Sequence, residues 1–251
     1  MLHKLRSALA VLGILIGVTA VIWLVAMGEG VSYQAQQQIK DLGATSIIIR
    51  TIKPSEEANS DSGSRSGIAY GLLRSDYDRI ITNIPTISAA VPMREISRDV
   101  RRDEYVVPTQ VIGCTPEYFS INRLPVARGR PLAASDLRGL ENVTVLAHDV
   151  AERLFPIQDP LGRAIQIGTE FYVVVGVAQD RTAAAAIGGS FSARQYNRDV
   201  YIPLNTFQKR IGDRVITVRG GTFQNETIEL NQITAVVDDV AAVDASADII
   251  R

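Results

Sequence analysis

Hydrophobic positions run uninterrupted by charge over residues 7–28, SALAVLGILIGVTAVIWLVAMG, between the basic start MLHKLR and the polar, Gln-rich passage GEGVSYQAQQQIKDLG. As a helix rising about 1.5 Å per residue the stretch is roughly 33 Å long, enough to cross a hydrocarbon core of about 30 Å. A cleaved secretory signal shares the basic start, but its apolar region spans only about 7 to 15 residues. The pattern therefore predicts a membrane anchor over residues 1–28. Lys4 and Arg6 precede the apolar run and Glu29 follows it. The cytoplasmic bias of basic residues then puts the N-terminus inside and the bulk of the chain outside. Val31, Ala35, Ile39 and Leu42 recur at helical spacing, and Gly43 stands where a left-handed cap is wanted. The anchor is expected to continue as a stalk helix over 29–43.

The pattern then shortens. Residues 46–52, SIIIRTI, read as a buried strand, and residues 53–67, dominated by Ser, Gly and charge, as an exposed loop. Ser75 with Asp76 and Asp78 predicts an N-cap and first turn of a helix that stops before Pro85. Strands over 87–100 and 104–112, flanking Arg101, Arg102 and Asp103, predict a hairpin. The texture changes after Gly113, which places a boundary there. Beyond it come a strand at 143–146, a helix at 149–155, strands at 164–167 and 171–178, a loop at 179–198, the short strand VYIP and a helix at 205–211. Residues 215–222 and 227–237 are expected to pair across 223–226, and residues 240–251 read as a final helix. The fold class is α+β, in five segments: anchor 1–28, stalk 29–43, then 44–112, 113–222 and 223–251.

Composition narrows the chemistry. The 251 residues are 46% hydrophobic, which supports folded cores, and 26 Lys plus Arg balance 27 Asp plus Glu, leaving no basic field for nucleic acid. The single Cys114 has no partner for an intramolecular disulfide and reads as a small buried residue. With only His3 and His148, and no Gly-x-Ser-x-Gly elbow, a nucleophile–base–acid arrangement lacks parts. His148 reads as a capping or solvent-facing residue at a strand-to-helix corner. No metal-ligand spacing and no phosphate-cradling Gly-x4-Gly-Lys-Ser/Thr loop occurs, so no cofactor or metal is expected and the chain is read as no enzyme. Inside the anchor, Gly13 and Gly17 form Gly-x3-Gly, a face on which a second membrane helix could approach closely.

Three passages taken in order resemble one family: KLRSALAVLGILIGVTAVIWLVAMGEG at residues 4–30; GCTPEYF at 113–119 with GRPLAASD at 129–136; and VTVLAHDVAERLF, DPLGRAIQIG and FYVVVGV between 143 and 177. They are similar to the first membrane helix and outer core of MacB/FtsX-type ABC transporter permeases. The resemblance implies a porter-like β-α-β subdomain, 44–112 with its return 223–251, carrying an inserted β-rich subdomain, 113–222. It implies a non-catalytic permease subunit in the inner membrane, dimeric with a second permease copy. Its partners would be a separate ABC ATPase, membrane lipid and a periplasmic adaptor, and the stalk would carry ATP-driven motion outward for export. Family members have three further spans after the outer domain, so the chain reads as a fragment or truncated product. The contrasting reading is a membrane-anchored binding or sensing module without transport.

Overall fold

The computed structural model describes residues 2–41, 46–53, 68–180, 196–219, 222–238 and 242–250. The chain divides into two compact units, Met1–Ala44 and Thr45–Arg251. The first is one helix, α1 (Leu2–Asp41), and its segment Leu12–Val31 is long and apolar enough to cross a membrane and contains no buried residue. Helical backbone thus runs unbroken from the apolar segment into the polar one. Leu42, Gly43 and most of the loops read over 53–67 and 179–198, namely residues 54–67 and 181–195 with the glycine-rich positions 188–190, lie outside the described residues.

The second unit is built on a nine-stranded sheet with spine β1-β12-β3-β4-β9-β6-β8-β5, made from β1 (Ser46–Arg50), β3 (Ile87–Arg102), β4 (Tyr105–Cys114), β5 (Val126–Gly129), β6 (Val143–Leu146), β7 (Ala164–Ile167), β8 (Glu170–Ala178), β9 (Asp199–Pro203) and β12 (Gln232–Val237). Because β7 pairs with both β3 and β8, the strands β3, β4, β9, β6, β8 and β7 close into a ring, which removes free edges there. A small sheet, β10 (Arg214–Arg219), β11 (Thr222–Thr227) and β2 (Ile68–Ala69), stands apart from it.

The near-continuous apolar runs of β4 and β9 follow from burial on both faces. Val111, Val200 and Ile202 enter one core with Leu146, Tyr172 and helix α5 (His148–Leu154), joined by Phe207 of α6 (Leu204–Arg210). Their neighbours Ile112, Cys114 and Tyr201 face the opposite way, into a second core with Tyr118 and Phe119 of α3 (Glu117–Ile121) and Leu132, which precedes α4 (Ala134–Arg138). A third core gathers Ile80 and Ile84, at α2 (Arg74–Asn83), with Ala90, Leu230, Ile233 and Ala235. The terminal helix is α7 (Val243–Ile250). β3 serves all three cores: its first half pairs with β12, its second with β4. Gly113, where the texture changes, lies within β4 opposite Arg94.

Three local expectations are corrected. Helix α2 starts at Arg74 after Leu73, not at Ser75, because the Asp76 carboxylate reaches back to accept the Leu73 N–H at 2.9 Å. The β3–β4 register pairs Arg102 with Tyr105, so both arginines stay in the strand and only Asp103, at φ 50°, and Glu104 make the turn. Residues 223–226 are not a turn but the middle of β11, which pairs with β10. β12 crosses to the large sheet between β1 and β3, because its almost wholly buried positions require neighbours on both sides.

Candidate functional site

Lys4 and Arg6 fall in the first turns of α1, Gly13 and Gly17 in its apolar segment, and Val31, Ala35 and Ile39 in its polar half, with Val31 exposed. A Cβ at Gly13 or Gly17 would meet nothing within 4 Å, so that face of the helix is open. His148 opens α5 and sits 3.3 Å from Glu152 one turn on, an exposed pair rather than a cap.

A polar arrangement that the sequence reading missed lies where β3 passes from β12 to β4. Arg94 is only 1% exposed. Its Nη1 donates to Asn231 Oδ1 at 2.5 Å and to the Glu95 carbonyl at 3.3 Å, and its guanidinium lies 6.0 Å from the Phe207 ring. Asn231 Oδ1 also accepts the Glu95 N–H at 3.0 Å, while the Asn231 N–H donates to the Met93 carbonyl at 2.9 Å. One asparagine, through its side-chain oxygen and its backbone N–H, thus brackets three consecutive residues of β3. Burial pulls the Arg94 guanidinium below its usual range, opposed by the nearby Asp213.

Beside it, Arg74 at the start of α2 donates two bonds to the Asp213 carboxylate, at 2.9 and 2.7 Å, and stands 3.3 Å from Glu229. The hydrogen bond to Asp213 is the main cause of a raised Arg74 pKa. The Arg74 N–H also donates to Glu229. Glu226 of β11 accepts from Lys53 at 2.5 Å and from the Tyr70 hydroxyl at 2.8 Å. Lys53 chiefly holds its pKa below the usual carboxylate value, and burial together with Glu226 pushes Tyr70 up to about 12. The segment after β1, the start of α2, β3, the α6–β10 turn and the β11–β12 connection therefore meet in one charge network. Such an array holds packed parts in register and can re-pair its charges. Among the described residues no group of three or more His, Cys, Asp and Glu could hold a metal ion. The one hint in the sequence was a lone arginine inside the apolar run AAVPMREI.

The signature passages have structural reasons. In GRPLAASD, Arg130 grips the Asp136 carboxylate at 2.7 and 3.0 Å, and the same carboxylate accepts the Ala133 N–H at 2.8 Å, capping α4. Arg130 holds the Asp136 carboxyl below its usual range. In GCTPEYF, a Cβ on Gly113 would stand 2.8 Å from Phe207, so only glycine lets α6 lie this close to β4. Tyr118 and Phe119 pack on Tyr201 with ring centroids 5.7 and 5.4 Å away. In DPLGR, Asp159 Oδ1 accepts the Leu161 N–H at 3.0 Å, closing a turn. Cys114 is fully buried, and burial raises its thiol pKa.

The architecture is similar to the periplasmic region of MacB from Actinobacillus actinomycetemcomitans, with a TM-score of 0.59 at 18% identity over 84% of this chain and 85% of that one. It is also similar to the extracellular domain of the noncanonic ABC-type transporter YknZ from Gram-positive bacteria, with 0.56 at 16% over 80% and 88%. In sequence the chain is 30% identical over 191 residues to the macrolide export ATP-binding/permease protein MacB of Hahella chejuensis, covering 76% of this chain and 28% of that protein. It is 33% identical over 180 residues to the probable syringafactin export ATP-binding/permease protein SyfD of Pseudomonas syringae pv. tomato, covering 71% and 26%. The chain thus spans under a third of these relatives' length. The model of the MacB-like periplasmic core domain matches residues 7–251, and the chain belongs to that family.

Proposed function

We propose that the chain supplies the first membrane helix and the extracytoplasmic core of an ABC-type export permease, passing motion from a partner ATPase to a substrate in the cell envelope. It has no catalytic part of its own in this reading. The observation that carries it is α1, whose 40 residues form one helix roughly 60 Å long, about twice the hydrocarbon thickness. A membrane half and a stalk half joined by unbroken hydrogen bonds move together, which a flexible linker does not permit. Lys4 and Arg6 fix the cytoplasmic end, Gly13 and Gly17 face a second permease copy, and the stalk is the segment marked in the sequence by Val31, Ala35, Ile39 and Leu42. The porter-like part comprises 44–112 and 223–251 and the inserted part 113–222. A periplasmic adaptor and membrane lipid complete the partners, and the inner membrane is the location.

The test is Gln36→Pro. A proline there removes one helical hydrogen bond, costs about 3 kcal/mol and kinks the stalk. Export by the full permease with its ATPase should fall by an order of magnitude or more, while ATPase association stays unchanged. Normal export in this variant refutes the transmission reading. Orientation is read by a cysteine placed at Tyr105, 46% exposed, which should react with an impermeant reagent from outside.

A further inference from the structure

The junction shares its charges unevenly. Arg74, partly exposed, holds two carboxylates, Asp213 bidentately and Glu229 at 3.3 Å. Arg94, buried, holds neither: its Nη2 reaches only the Asp213 carbonyl, at 3.5 Å, and its Nε has no acceptor among the described residues. Nε and Nη2 share one edge of the guanidinium plane, an edge suited to gripping a carboxylate through two parallel bonds. That edge holds no carboxylate, although Asp213 lies beside it. Asp213 follows Gly212, whose φ of +82° suits glycine; the Gly212 N–H donates to the Phe207 carbonyl at 3.1 Å and the Asp213 carbonyl accepts the Ile228 N–H at 3.0 Å, so the backbone is held and the Asp213 side chain is the part left to swing.

We propose that Asp213 is an exchangeable carboxylate: in one state it pairs with Arg74, and in a second its side chain swings, with the backbone kept in place, to close the Nε–Nη2 edge of Arg94. Glu229 stays with Arg74 throughout, so neither arginine is stranded. Two arginines and two carboxylates pass from a two-and-none pairing to one each. The Asp213 side chain ties the α6–β10 turn to α2 in the first state and adds to the existing Arg94–carbonyl bond with β3 in the second. The exchange therefore decides which element the turn follows when the domain is strained. This deepens the transmission reading and takes its purpose from it, although the pairing chemistry stands without it.

The experiment is relaxation dispersion on the arginine Nε–Hε groups of the full chain in lipid nanodiscs, with Arg74 and Arg94 assigned by lysine substitution. Arg94 Nε should exchange on the microsecond-to-millisecond scale with a minor state of about 0.1 to 10%. Asp213→Asn should quench that exchange on the order of tenfold, and Asp213→Glu should retain it. Glu229→Gln, a partly exposed change that leaves the cores alone, should suppress it as well, because Arg74 would then have only Asp213. A single static environment at Arg94 Nε, or exchange indifferent to Asp213→Asn and Glu229→Gln, overturns the proposal. This measurement involves no transport, so its failure leaves the permease reading intact, whereas normal export by the Gln36→Pro variant fails that reading alone.

Discussion

Replacing Asp136 by asparagine removes the charge around which the GRPLAASD turn is built while keeping the side chain's shape. The carboxylate is 4% exposed as a residue and makes three hydrogen bonds, two to Arg130 and one from the Ala133 N–H. Arg130 is about half exposed, so its ion pair is solvent-screened and contributes about 1 kcal/mol. Weakening the cap at Ala133 adds about 1 kcal/mol, and burying an imperfectly paired amide in place of the carboxylate adds a similar amount. The sum, roughly 2 to 3 kcal/mol, lowers the melting temperature by about 4 to 12 °C for a folded unit of this size. Thermal unfolding of the full chain in detergent, followed by circular dichroism at pH 7, measures it. The sign with pH is fixed: a carboxyl whose folded pKa is depressed stabilises above its unfolded pKa and loses that contribution as pH falls through the folded value. The gap between wild type and Asp136→Asn should therefore narrow as pH drops below the ordinary carboxylate range, from about 4 downward. A variant melting within 1 °C of wild type at pH 7, or a gap unchanged at pH 3, would refute the assignment (both thresholds about one measurement error wide).

Further outcomes follow from the packing. Gly113→Val should destabilise by about 1 to 3 kcal/mol through overpacking against Phe207, read as a lower urea midpoint; an unchanged midpoint means α6 does not lie as described. Leu154→Ala, at a fully buried position of α5, should cost about 2 to 5 kcal/mol by cavity formation, and a loss below 1 kcal/mol contradicts the placement of α5 in the ring's core. Gly13→Ile with Gly17→Ile should weaken self-association of the chain in bilayers severalfold, measured by energy transfer between labelled copies; equal transfer in variant and wild type removes those glycines from the interface.

The parts of the fold legible in the sequence were those where burial imposes a simple period. The 22-residue uncharged run, the apolar strands around Val111, Val174 and Val200, and the hairpin about Asp103 all announce themselves through local composition. Strand partners do not. Composition suggested a turn over residues 223–226 with one strand running on from 227 to 237, yet 222–227 pairs with β10 while 232–237 is buried between β1 and β3, a difference set by contacts far away in sequence. Ser75 offered a plausible cap, and Asp76 overrode it by reaching the backbone one turn earlier. The charge network was invisible for the same reason as the strand order: Arg94 lies over a hundred residues from both Asp213 and Asn231 and meets them only because β3 is shared. The motif residues were visible as a family pattern, but their role as turn and cap chemistry needed geometry.

The sharing of β3 also sets how the body carries load. Its 16 residues span roughly 50 Å, bonded first to β12 and then to β4. Cross-strand bonds in antiparallel pairs stand perpendicular to the chain, so a pull along β3 stresses many of them at once in shear. The narrow β10–β11 ribbon, pulled open from its free end, would instead peel bond by bond. The body is therefore stiff along one line and soft along another, and a tug entering near Ile87 arrives at Arg102 with little lost to stretching.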